Sequence, residues 1–386
     1  MTKHVLVVAL FAMGAVRLTA CASSEAEAPG ADGGPSVNPP PPEAELPLDA
    51  GPSSDVIDAS APDDASSACT EGGWCRTAVP PGRDGGVLSL ADVWDHGGGD
   101  VWTIAEEGLV LHWDNGEWSV VFDAGATLTQ LWGTQGGGLW IAGKKGTLLY
   151  HAPGTAPSTW EVVSIGTTDD LMSVCEGTAQ SPASRNVWVA SSVGNTSTVR
   201  HWDGATGSDG KPIWVSSGIT FAQAKTMRCV DHRVWLGGRS IIPSEALIRV
   251  NDGTGWKSPI APPAADQDRV LYSLWIAGDS DLWLSTETAL FHRTAGDSGV
   301  PVWASYPIDQ AYGAPPMKFW GSSASDLWIA GRHGRIYHWD GTEMQLSRTS
   351  WDNGAFLHNR LRGISGSADD VWVVGDNVAV HRKRSE

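Results

Sequence analysis

Charge of one sign is scarce in this 386-residue chain: 26 Lys and Arg stand against 44 Asp and Glu, a formal net charge of −18 with a pI near 4.9. That balance speaks against sequence-independent nucleic-acid binding, which needs basic side chains to neutralise phosphates, and no nucleic-acid partner is expected. Long apolar runs are missing too. The longest, Val5 to Val16, has twelve residues, too few for a helix to cross a bilayer but the right length for the core of a secretion signal. Phe and Tyr are few, at six and five, and so is Cys, at five. Against those shortages stand 21 Trp and 46 Gly, a composition that suits short strands joined by tight turns better than helices.

The N-terminus reads MTKHVLVVALFAMGAVRLTAC. Lys3 gives a basic start, the apolar run follows, and Leu18-Thr19-Ala20-Cys21 looks like the lipobox of bacterial lipoproteins. That resemblance implies a signal peptide over 1–20 and diacylglycerol on the Cys21 thiol. It further implies localisation to the bacterial cell envelope, with Ala22 leaning toward the outer membrane. Residues 22–68 then hold nine Pro, ten Asp or Glu and no Lys or Arg. Few of them could build a core, so they read as a disordered, self-repelling tether with a span of about 40 Å or more.

Beyond residue 68 the chain repeats. Seven units align on a Trp in segments such as VWTIAEEGLVLHWDNGEW and LWIAGRHGRIYHWDG; the anchors are Trp102, Trp140, Trp188, Trp235, Trp283, Trp328 and Trp372, spaced 38 to 48 residues apart. Each unit offers four short apolar runs, here A to D, separated by Gly- and Asn/Asp-Gly turns of the kind that close antiparallel hairpins. This period predicts an all-β, seven-bladed β-propeller over 69–386, with four strands per blade. Twenty of the 21 Trp fall on run positions, so they are expected to fill the gaps between blades. In the sixth unit Met344 takes the run-D Trp position. The seventh unit ends without a run D, and Gly73 to Val79 has the form of the missing strand, which closes the ring in this reading.

The pattern DVWxVGxxGxIxHWDGxxW resembles the tryptophan-rich β-propeller repeats of bacterial envelope lipoproteins, and the resemblance covers essentially all of 72–386. It is loosely similar to Asp-box repeats as well, at Ser325-Asp326-Leu327-Trp328, although the Asp-box order is not reproduced. The resemblance implies a propeller exposed at the envelope and no particular reaction.

Histidines recur at one point of the repeat: His112, His151, His201, His292, His338 and His381, with Arg249 in the fourth unit. Equivalent points on seven blades spread around a ring, so these residues are expected to be structural rather than a convergent metal or acid–base site. The stretch Gly138 to Lys145 nearly matches a phosphate-binding loop, but Lys145 stands where Ser or Thr is required and the segment reads as a strand. No catalytic residue, metal site or cofactor is expected, and the chain is read as a non-enzyme. The four cysteines after Cys21 allow three pairings in an oxidising compartment. Cys69–Cys75 and Cys175–Cys229 are favoured, with a zinc site as the alternative.

The one Trp outside the frame is Trp351, in the connection from unit six to unit seven. With Asp352, Asn353, Phe356, His358 and Arg360 it makes a candidate ligand-binding loop, since binding residues gather on loops of rigid scaffolds; the loops 259–269 and 307–316 join the same face. The competing reading is that Trp351 caps the last gap between blades. The functional expectation is a monomeric, lipid-anchored scaffold for an envelope protein partner. A carbohydrate- or cell-wall-binding module using the Trp351 loop is the alternative.

Overall fold

The computed structural model describes residues 69–384 apart from 180, 182–183, 221, 242–243, 259, 261–269, 279, 287–288, 297–298, 308–317 and 352–353. Among the described residues, 28 strands, numbered β1–β28 in chain order, form seven antiparallel four-stranded sheets. The first blade shows the plan. Strands β2 (Leu90–Asp95), β3 (Val101–Ala105), β4 (Leu109–Asp114) and β5 (Glu117–Asp123) follow one another outward from the axis. The turn from β4 to β5 is Asn115-Gly116, both at positive φ (53° and 89°); that pair of conformations gives the tight turn whose twist matches the strands it joins.

The other innermost strands are β6 (Leu128–Gly133), β10 (Leu171–Glu176), β14 (Ala222–Val230), β18 (Ser273–Gly278), β22 (Lys318–Ser323) and β26 (Leu361–Gly366). Each packs against the next around the axis, and β26 packs against β2, so the sheets form a closed ring. The chain is a seven-bladed β-propeller. In the seventh blade, β26, β27 (Asp370–Gly375) and β28 (Val378–Lys383) are joined on the outside by β1 (Cys75–Thr77), with Cys75 opposite His381. Pairing of the two chain ends covers an edge that would otherwise be open to association. Cys69 is bonded to Cys75, and Cys175 to Cys229, the latter tying blades three and four together.

The core is the set of interfaces between blades, and Trp dominates it. All seven anchor Trp are buried. An edge-on ring from the following blade meets most of them. Trp160 lies 5.8 Å from Trp102, Trp202 6.4 Å from Trp140, Trp256 6.1 Å from Trp188, Trp339 5.3 Å from Trp283, Trp74 5.6 Å from Trp328 and Trp118 5.4 Å from Trp372. Edge-to-face geometry sets the positive rim of one ring against the negative face of the other. The sixth blade shows how the scheme absorbs a substitution. Met344 sits opposite Trp339 in the place that Trp118 holds opposite Trp113 in blade one, and Trp339 makes the contact to the preceding anchor.

Candidate functional site

Three features of the ring bear chemistry: a repeated clamp on one face, the lining of the hub, and the connection before blade seven.

The clamp is built on the register of the second and third strands of a blade. His112, His201, His292, His338 and His381 stand directly opposite their anchors Trp102, Trp188, Trp283, Trp328 and Trp372. Their rings lie on the indoles at centroid distances of 4.0 to 4.5 Å. Two residues before each of these anchors is an acceptor. His112 Nε2 is 2.9 Å from Asp100, His201 Nε2 3.1 Å from Asn186, His292 Nε2 2.9 Å from Asp281 and His338 Nε2 2.8 Å from Asp326, while His381 uses Nδ1, 3.3 Å from Asp370. Trp102 and Trp188 also donate their indole N–H to the same acceptors, at 2.7 Å. Each of these five His is thus bonded within its own blade.

The structure corrects two members of that His set. Tyr150, not His151, lies opposite Trp140, and Val250, not Arg249, lies opposite Trp235. His151 instead packs between Trp102 and Trp160 and bonds the Thr159 carbonyl at 2.8 Å. The sequence held the signal for this shift. The five blades with the His carry Asp or Asn two residues before the anchor; the other two carry Gly138 and Arg233.

The clamps also set local charge. Burial pushes the His201 and His292 imidazoles below the usual histidine range. Burial works to raise the Asp326 carboxyl, but hydrogen bonds from His338 and Ser322 and the charge of Arg384 outweigh it and leave it at about 2. Hydrogen bonds from an imidazole to an acceptor on the neighbouring strand fix the orientation of the ring over its indole. Among the described residues, no group of three His, Cys, Asp or Glu is placed to hold a metal ion.

Notches open between neighbouring blades beside the clamps. The notch between blades three and four has a volume of about 780 Å³ and is walled by Trp188, His201, Asn186, Arg185, Val215 and Trp256. The outer strand of blade four beside it is short, Trp256–Lys257. A second notch of about 570 Å³ separates blades seven and one. Val215 is 68% exposed in the first.

At the hub, the residues opposite the anchors on the innermost strands are Trp94, Trp132, Cys175, Arg228, Trp275, Trp320 and Ser365. Trp94, Trp275 and Trp320 each lie against a glycine of the next blade: Gly133, Gly321 and Gly366 respectively. These Trp–Gly contacts are therefore inter-blade joints, in which one blade supplies the ring and the next the space.

The Trp351 connection lies at the edge of blades six and seven. Ser350 pairs with Phe356, and Trp351 N–H donates to the Ala355 carbonyl at 2.7 Å, so the described residues 350–351 and 355–356 lie antiparallel to one another. Trp351 is half-buried against the cluster of Trp74 and Trp328, and the Arg76 guanidinium covers its ring at 4.6 Å. Phe356, His358 and Arg360 are exposed. Phe356 and His358 stay together, 6.1 Å apart, whereas Arg360 lies at the start of β26 among Arg362, Arg332, Asp376 and Glu106. Asp352 and Asn353 lie outside the described residues, as do Cys21, the segments 1–20 and 22–68, and most of the loops 259–269 and 307–316.

No family model matches the chain, and no curated protein does. Solved propellers do. The structure of YCF48 from Cyanidioschyzon merolae superposes with a TM-score of 0.56 at 13% identity, over 81% of this chain and 99% of that one. YCF48 bound to D1 peptide gives 0.57 at 13% identity, over 81% and 97%. The WD40 β-propeller domain of Doa1 gives 0.52 at 14% identity, over 81% and 98%. Likenesses at this level of identity establish the fold.

Proposed function

We propose that this propeller is a non-catalytic interaction scaffold of the bacterial envelope. In this reading it is held to the membrane by lipid on Cys21 and recognises a segment of a protein partner in the notch between blades three and four. The observation that carries the binding role is that notch. It is open, its walls combine aromatic rings with amide, imidazole and charged groups of both signs, and it exposes an apolar side chain, Val215. Such a mixture fits a peptide, which offers backbone hydrogen bonds and alternating side chains. A propeller of the same fold is known bound to a peptide, YCF48 with D1 peptide. Two disulfides agree with a compartment outside the cytoplasm.

The test is recovery of partners from the native, detergent-extracted protein after mild cross-linking, comparing the wild type with Val215→Asp. Val162, 73% exposed on blade two, supplies Val162→Asp as the control. A protein recovered in near-stoichiometric amount, lost in Val215→Asp and kept in the control, supports the scaffold. No recovered protein, or equal recovery from all three, removes the notch from the proposal. Cys21→Ala should release the chain from membranes and abolish labelling by a fatty-acid probe; unchanged membrane association would defeat the anchor.

The glycan- or wall-binding alternative now rests on Phe356, His358 and Arg360 rather than on a free Trp351 face, because Arg76 occupies the ring. It requires Phe356→Ala to reduce retention on cell-wall polysaccharide with no change in melting temperature.

A further inference from the structure

The hub holds an unusual set of charges. Asp92 of blade one, Arg228 of blade four and Lys318 of blade six sit on innermost strands. Asp92 and Lys318 both stand two residues before the position opposite the anchor, and Arg228 stands at that position. No two of these blades are adjacent. Residues on them can approach one another only across the axis of the ring, and Arg228 reaches that way: its guanidinium stands 5.8 Å from the centroid of Trp132, on blade two, which is not a neighbour of blade four. All three are walled in by protein on every side yet keep partial solvent exposure, as side chains lining a lumen do.

Their hydrogen bonding is unequal. Asp92 is provided for: its carboxylate accepts the N–H of Leu131 at 3.2 Å and of Val93 at 3.1 Å. Arg228 has its contact with the Trp132 ring, and among the described residues neither it nor Lys318 has an ion pair or a hydrogen-bonded acceptor. Five guanidinium N–H and three ammonium N–H therefore stand, among the described residues, against the Asp92 carboxylate, which is already bonded to backbone. Burial disfavours both charges, Asp92 offsets part of that for each, and the Arg228 charge further disfavours that of Lys318. Unpartnered cations in such a position are costly unless something neutralises them.

We propose that the lumen is a binding site for one oxyanion, a carboxylate or a phosphate group, gripped by the Arg228 fork and the Lys318 ammonium. Arg supplies the planar, two-toothed recognition and Lys the point charge. Asp92 sets the limit: burial pushes its carboxyl up and the two cations pull it down, and in its ionised form it offsets one of the two positive charges, so a singly charged group fits best. The site stands on its own residues and does not depend on the notch between blades three and four.

The experiment titrates the full-length protein with inorganic phosphate, and separately with acetate, at constant ionic strength. It reads the melting temperature and the tryptophan fluorescence, to which Trp132 beside Arg228 contributes. The expected result is a saturable rise in melting temperature and a saturable fluorescence change with at least one of the two anions. Arg228→Met and Lys318→Met should each weaken binding tenfold or more, and Asp92→Asn should strengthen it. Response to acetate alone identifies the terminus or side chain of an acidic ligand; response to phosphate alone identifies a phosphoryl group. Both Met variants remove a charge and keep its volume, so without added anion they should melt no lower than the wild type. The absence of any saturable response, or a response that survives in both Met variants, overturns the proposal.

Discussion

If the Trp-Gly joint is what holds neighbouring blades in contact, alanine should be harmful at some glycines and helpful at others in a pattern set by the neighbouring blade. At Gly366 an added Cβ would stand 2.9 Å from the ring of Trp320, and at Gly321 2.8 Å from that of Trp275. Neither glycine has a positive φ, so alanine's φ is allowed, and the objection is steric: the facing ring, together with the carbonyl oxygen of Asp370 at 2.7 Å for Gly366 and of Asp326 at 2.8 Å for Gly321. An indole wedged between two sheets cannot retreat as a lysine tip can, and overpacking of this kind costs about 1–3 kcal/mol. Gly136 and Gly278 are the controls. They too lack positive φ, and a Cβ there meets nothing within 4 Å. Alanine at those positions reduces the freedom of the unfolded chain and should stabilise by about 0.4–1 kcal/mol. In urea or thermal unfolding, Gly321→Ala and Gly366→Ala should therefore lie about 1.5–4 kcal/mol below Gly278→Ala, a separation of several degrees in melting temperature. Trimming the ring should restore part of the loss, so Gly321→Ala with Trp275→Leu should cost less than the sum of the two single changes. Equal behaviour of the four alanine variants, or strict additivity in the double variant, would refute the joint.

Three further outcomes are expected. Asp326 is held at about 2 against an ordinary 3.8. Its contribution is complete above the unfolded value and lost as pH falls through the folded one, so Asp326→Asn should remove about 1–2 kcal/mol of the acid-induced loss between pH 4 and 2 in a stability-versus-pH series. His201 and His292 are held below their ordinary value of 6.5; the unfolded chain takes up those protons first, stability should rise as pH climbs toward 6.5, and nuclear magnetic resonance titration should place both midpoints below that value. The Cys175–Cys229 bridge closes 54 residues and Cys69–Cys75 only 6; by loop entropy, paired Cys→Ala replacement should cost about 4 kcal/mol for the first and about 2 kcal/mol for the second in denaturant unfolding.

Much of the ring was legible in the sequence because its period is carried by large, unmistakable side chains. The seven anchors, the strand positions of most other Trp and the place of Met344 all follow from spacing. The two misplaced members, His151 and Arg249, show where spacing stops working. Residue type alone suggested a His column, whereas the clamp requires a His together with an acceptor two residues before the anchor, and Gly138 and Arg233 cannot accept. The hub charges were beyond reach for a different reason. Asp92, Arg228 and Lys318 are separated by 136 and 90 residues, belong to no motif, and meet only because the ring closes. The cover that Arg76 gives Trp351 is likewise a product of closure, since it brings the first strand beside the last connection.

The bond between Cys69 and Cys75 has a mechanical side. Any pull on the chain ahead of residue 69 enters the propeller at Cys69, and the sulfur bridge carries it straight to Cys75, the first residue of β1. The five residues between, including Trp74 with its 2.8 Å hydrogen bond to Ser347 and its edge contact with Trp328, form a loop in parallel with that bridge. Tension therefore bypasses the ring that plugs the joint between blades six and seven and falls on the short ladder of β1 and β28. With the bridge reduced, the same pull would first draw Trp74 out of its socket.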